Sequence, residues 1–200
     1  MRFIAKSQYN KYYEKVGGKV LDISDEVPFD IPVSWEWVRF SSIANLYTGN
    51  SIGESEKRAK FAGVDGMEYI GTKDVGFNSK IDYNNGIAIP DKSISDFKIA
   101  PSGSVIMCIE GGSAGRKVGI IDRDICFGNK LCCFVPFADI AQYIFFYIQS
   151  PTFFKVFQKN KTGIIGGVSV NTLKEMIIAL PPQQEQGRMN KQVREIFSKL

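Results

Sequence analysis

The sequence contains no histidine. That one absence removes imidazole general bases, Ser-His-Asp triads and His-ligated metal centres. Its four cysteines, Cys108, Cys126, Cys132 and Cys133, show no C-x-x-C spacing, and an adjacent pair is badly placed to bridge to itself. They read as small apolar residues inside strands. No apolar run approaches the roughly 20 residues that a membrane span requires, and the opening M-R-F-I-A-K-S-Q has no signal-peptide core. A soluble, cytosolic protein is the expectation. Internal repeats and low-complexity segments are also missing.

What remains is 200 residues, 44% hydrophobic and 23% charged, which suffices for one well-buried core plus an appendage. The net charge of +4 is unevenly spread. Residues 29–182 carry 16 Lys plus Arg against 15 Asp plus Glu. Within that balance, 153–174 holds Lys155, Lys159, Lys161 and Lys174 with no acid, and 56–60 supplies Lys57, Arg58 and Lys60. A basic face on a neutral body suits a phosphate backbone; ordinary solvated lysines are the other reading.

Along the chain, 12–16 and 19–23 flank Gly17-Gly18 and predict a hairpin, part of an arm over 1–29 lying outside the main core. Trp35 and Trp37, two apart, share one side of a strand and are assigned to packing. Ser41-Ser42 predicts the cap of a short helix carrying Ile43 and Leu46, and 54–61 a helix with a basic edge. Strands are expected at 67–70, 87–89, 104–109, 118–122 and 130–135, the last three forming the centre of a sheet because they are apolar throughout. Helices follow at 139–149 and from Pro151. Phe153, Phe154 and Phe157 there read as core rather than as base-stacking rings. A one-turn helix near Asn171, a strand over 176–180 and the break Pro181-Pro182 lead into a last helix. In it Met189, Val193, Ile196 and Leu200 step by four, three and four, the start of an a/d seam.

Three loops carry the chemistry. Gly111–Lys117, G-G-S-A-G-R-K, lacks the G-x-x-x-x-G-K-[ST] spacing of a Walker loop and is followed by a strand. Gly112, Ser113, Arg116 and Lys117 there offer a close backbone approach and donors for phosphates or a guanine edge, with a tightly packed crossover as the alternative. Thr72 and Lys73 lie in a small, polar loop over 71–76. Asn129, in F-G-N-K, has the donor and acceptor of an adenine reader and equally the conformational habits of a turn former. Asp122-Arg123-Asp124 reads as a solvated turn. No G-x-G-x-x-G is present, and Ala179-Leu180 stands before Pro181-Pro182 where an amino-methyltransferase places Asn or Asp.

The order strand, L-P-P, Q-x-E-Q, helix at 180–186 resembles the exit of a target recognition domain in the specificity subunits of type I restriction-modification enzymes. The lead-in D-E-V-P-F-D-I-P-V-S-W-E-W-V-R-F at 25–40 and I-E-G-G-S-A-G-R-K-V-G-I at 109–120 are similar to the same family. The resemblance implies an α/β fold with a mixed, twisted sheet flanked by helices, a recognition domain over 30–182, and the start of a spacer helix over 183–200. It implies a non-catalytic protein without a cofactor that reads half of a bipartite site in double-stranded DNA. Methyltransferase subunits and a restriction motor subunit would be its partners, with self-association through the last helix. On this reading Lys57, Arg58, Lys60, Lys155, Lys159 and Lys161 hold phosphates, while Thr72, Lys73, Gly112, Ser113, Arg116, Lys117 and Asn129 face the groove. A protein-interaction module with a basic edge and a dimerising helix is the alternative from another class, and a divergent methyltransferase is disfavoured by the missing motifs. Whether the domain is a first, second or solitary one stays open.

Overall fold

The computed structural model describes residues 2–163 and 166–199. Two compact units emerge, Met1–Ile43 with Lys174–Leu200, and Ala44–Leu173. The cuts at 43/44 and 173/174 fall inside the expected span 30–182.

The first unit opens with strands β1 (Arg2–Lys6), β2 (Tyr12–Val16), β3 (Lys19–Asp22) and β4 (Glu36–Arg39) and the single turn α1 (Phe40–Ile43). The second unit begins at β5 (Ala44–Thr48), followed by α2 (Glu54–Glu56), which runs on into a π-turn over Lys57–Phe61. Next come β6 (Met67–Ile70), β7 (Ala88–Ile89), β8 (Ile99–Ala100), β9 (Val105–Cys108), β10 (Val118–Ile120), β11 (Ile125–Phe127) and β12 (Leu131–Pro136). Helices α3 (Ala141–Ile148), α4 (Pro151–Lys159) and α5 (Val170–Glu175) precede β13 (Ile177–Leu180) and α6 (Gln183–Phe197), which complete the first unit.

In the first unit β1, β2 and β3 form an antiparallel meander whose second turn uses Gly17 and Gly18 at positive φ, as the glycine pair predicts. β4 pairs antiparallel with β13, from Arg39↔Ile177 to Glu36↔Leu180. Trp37 is 2% exposed, with the ring of Phe29 edge-on at 5.1 Å, whereas Trp35 precedes the strand and is only half-buried. Buried Arg39 donates to both carboxylate oxygens of Glu14, to Glu26 and to the carbonyl of Glu175; Arg2 donates to Glu14 and Glu175. The arm is therefore fastened by ion pairs to β4, which lies within the expected span 30–182.

In the second unit the sheet β10-β9-β12-β5 is antiparallel throughout, and β7-β6-β11-β8 contains the parallel pair β6/β11. The mixed α/β architecture is as expected, yet divided among separate sheets. β9 and β12 are interior strands, fully buried over 105–108 and 131–134, but β10 is an edge. Ile70, Val75, Ile106, Cys108, Phe127, Leu131 and Cys133 build the main core, and all four thiols are buried in strands. Ser150 caps α4, its Oγ accepting from the Phe153 amide at 3.2 Å, with Pro151 in the first turn. Phe153 and Phe157 are buried in the core, as their spacing predicts.

Leu46 is a correction. Ser41 and Ser42 lie inside the single turn α1 rather than capping it, that turn ends at Ile43, and Leu46 belongs to β5, opposite Phe134 of β12. Pairing along a buried strand outweighs a weak local cap.

Candidate nucleic-acid interface

One end of the second unit gathers the loops that the sequence analysis singles out, and strand direction is the cause. β6 and β11 run parallel, Tyr69 beside Cys126 and Ile70 beside Phe127, and the Gly128 amide donates to the Ile70 carbonyl at 2.9 Å. The loops after both strands therefore emerge side by side, 71–76 from one and 128–130 from the other. The chain leaving β5 joins them, because the Asn50 amide donates to the Phe127 carbonyl at 2.9 Å. Gly49 makes that approach possible: a Cβ there would stand 1.8 Å from the Phe127 carbonyl oxygen. β9 leads into Gly111–Lys117 at this same end, where Ile109 donates to the Lys130 carbonyl at 2.9 Å and Glu110 pairs with Lys130 at 3.3 Å.

Loop 71–76 is shaped by a residue that sequence reading missed. Asp74 is buried and accepts from the Gly71 amide at 2.8 Å, while its own amide donates to the Gly71 carbonyl at 3.1 Å. A side-chain turn of this kind leaves the intervening Thr72 and Lys73 presented outward. Lys117 joins the two loops directly, its Nζ donating to the Thr72 carbonyl at 2.9 Å.

The glycine loop serves packing and presentation in different halves. Gly115 has φ +76, and a Cβ there would come within 2.7 Å of the Phe157 ring, so this half is seated on α4. Ser113 turns inward, with Oγ 3.3 Å from the Cys108 sulfur. Gly112 faces open space, and the exposed Arg116 guanidinium donates back to its carbonyl. Asn129 is exposed in the turn after β11.

Lys57, Thr72 and Lys73 line one small cavity of about 180 Å³ together with Glu54, Tyr69 and Asn85. Lys57 lies over the Tyr69 ring at 5.4 Å and pairs with Glu54 at 3.0 Å. Burial pushes the Tyr69 phenol up to about 12, and its hydroxyl donates to the Asn50 carbonyl at 2.7 Å. Lys60 diverges, pairing with Glu56 at 3.0 Å and lining a separate cleft of about 530 Å³ beside Lys92 and Asp96. Arg58, Lys155 and Lys159 are exposed, Lys161 is half-buried, and Lys174 belongs to the other unit. Among the described residues no group of three or more His, Cys, Asp or Glu could hold a metal ion, and no helix is long and apolar enough to cross a membrane.

Together these features place the polar loops that carry Lys73, Arg116, Lys117 and Lys130 at one end of the second unit. The sequence model of the type I restriction modification DNA specificity domain matches residues 32–200. The chain belongs to that family, whose task is recognition, so it is a recognition module and not a catalytic subunit. It is 24% identical over 185 residues to the type I restriction enzyme EcoAI specificity subunit of Escherichia coli, and 25% identical over 174 residues to the EcoEI specificity subunit. These alignments cover 88% and 82% of the chain but 30% and 28% of the relatives, so the chain spans under a third of their length. Among solved structures, the HsdS subunit from Thermoanaerobacter tengcongensis matches with TM-score 0.61 and 20% identity over 86% of this chain and 39% of that one. A chain from a study of complex assembly and conformational transition of the type I R-M system matches with TM-score 0.66 and 19% identity, over 86% and 40%. These likenesses establish the fold.

Proposed function

We propose that the chain reads one half of a bipartite target in double-stranded DNA, in the cytoplasm, for separate methyltransferase and restriction subunits. One observation carries the reading. The parallel pair β6/β11 and the close passage at Gly49 deliver loops 71–76, 111–117 and 128–130 to one end, with Lys117 tying the first two together. On this reading Lys73, Arg116, Lys117 and Asn129 address the groove, Thr72 with them, while Lys57, Arg58, Lys155, Lys159 and Lys161 hold phosphates. The pairing of Lys57 with Glu54 does not oppose this, because Glu54 is 77% exposed and a pair so open to solvent contributes little that a phosphate would have to displace. Ser113 and Gly112 act through the shape of their loop.

α6 is the assembly element in this proposal. Its apolar stripe is incompletely covered: Met189 and Val193 are half-buried and Ile196 is 60% exposed; Leu200, the last residue of the stripe, lies outside the described residues. Such a stripe suits another helix, in a second recognition unit or a second copy.

Arg116→Ala and Lys117→Ala test the groove assignment. Each is expected to weaken binding to a selected duplex by about 1–3 kcal/mol and to relax the preference at one position, with the thermal midpoint held. Duplex selection followed by anisotropy titration reads both effects. Parental affinity and preference in both variants would leave the loop a packing device.

A further inference from the structure

Phe77 is 64% exposed, and an isolated exposed phenylalanine means little by itself. Its setting is what matters. It sits at the tip of a turn closed by the antiparallel bridge Val75↔Ile81, by Gly76 donating to the Lys80 carbonyl at 2.8 Å, and by Asp82 donating to the Asp74 carbonyl at 2.8 Å. Ser79 completes the turn at φ +63, a region that non-glycine residues occupy only where the surroundings hold them. The turn is also seated on β10: a Cβ at Gly119 would meet the Ile81 side chain at 2.6 Å. The ring is therefore held out on a stiff support.

Two cations frame it. The Arg116 guanidinium carbon lies 5.4 Å and the Lys117 Nζ 5.2 Å from the ring centroid. Each is tied to a backbone carbonyl, Arg116 to Gly112 and Lys117 to Thr72. Cations at this distance occupy a ring's face by attraction to the π quadrupole, which leaves the edge as the part of the ring most open to an apolar partner. A wedge between base steps needs free faces, whereas contact with a methyl group needs only an edge. In the major groove the apolar feature of a base pair is the thymine 5-methyl.

We infer that Phe77 is a specificity-determining residue that sets its ring edge against the 5-methyl of one thymine in the target, while Arg116 and Lys117 flank it. This rests on the DNA-reading function proposed above and adds a residue that no motif marks. The full chain is first used to select duplexes from a randomised pool. Uracil then replaces thymine at each position in turn, for the parent, Phe77→Ala and Phe77→Leu. The parent should lose about threefold to fivefold in affinity at one position, the size expected for one buried methyl. Phe77→Ala should bind the thymine and uracil duplexes alike there, and Phe77→Leu should keep part of the difference. A selected sequence requiring no thymine overturns the inference. So does a Phe77→Ala variant that keeps the parental thymine-to-uracil ratio, even if it binds every duplex more weakly, since the ring would then only brace the two cations. A parent that selects no sequence at all defeats the DNA-reading function itself, a result distinct from the other two.

Discussion

Arg39→Met is expected to destabilise the unit formed by the chain's two ends by about 3–5 kcal/mol, the usual cost of removing one partner from a buried ion pair. Arg39 is 5% exposed and Glu14 1%, and they meet at 2.7 Å. Without Arg39 the Glu14 carboxylate keeps only Arg2, and Glu26 and the Glu175 carbonyl each lose a donor. Adding Glu14→Gln to Arg39→Met should recover part of the loss, because the unpaired buried charge is what costs most. Burial on its own raises the Glu14 carboxyl, but hydrogen bonds from Arg39 and Arg2 outweigh it and hold the group at about 2, against an ordinary 4.5. A carboxyl depressed by folding adds stability that is complete above about pH 4.5 and is lost as the pH falls toward 2. The stability gap between the parent and Arg39→Met should therefore narrow as the pH falls from about 4.5 toward 2. Denaturant titrations across that range measure both effects, and a variant as stable as the parent would show the network to be decorative.

Trp37→Ala should cost a similar amount, about 3–5 kcal/mol, since a large ring fully enclosed between β4 and its surroundings leaves a cavity when truncated. Trp35→Ala should cost clearly less, because Trp35 lies before the strand and is only half-buried. Trp37→Phe is the finer probe. The indole Nε1 has no hydrogen-bond partner among the described residues, so phenylalanine forfeits volume but no hydrogen bond and should be the mildest change at this position. Equal losses for the alanine variants at 35 and 37, read from denaturation midpoints, would contradict the difference in burial.

Much of the fold is legible in the sequence where the signal is local. Strand 67–70, the Gly17-Gly18 turn, the Ser150-Pro151 helix start and the helix after Pro181-Pro182 follow from turn chemistry and periodicity within a few residues. β11 escaped because three residues between two turns carry no periodicity, yet its parallel pairing with β6 is what aligns the candidate loops. The tie from Arg39 to Glu14 escaped for another reason: the two are 25 residues apart, and charge pairing over that separation leaves no pattern in either segment. The division into two units has the same non-local origin. Within the candidate interface, Arg116, Lys117 and Asn129 were legible as residue types in glycine-bearing loops. Asp74 and Phe77 were not, since one works by a buried local hydrogen bond and the other by cations supplied from a distant loop.

DNA reading by the clustered loops is tested most directly by the salt dependence of binding, measured side by side on a selected duplex and a scrambled one. If about six phosphates are neutralised, both affinities should fall on the order of 10³-fold between 50 and 200 mM salt. The selected duplex should hold a constant advantage throughout, at about 1–3 kcal/mol for each position read. Equal affinity for the two duplexes at every salt concentration, or an affinity indifferent to salt, would contradict the account.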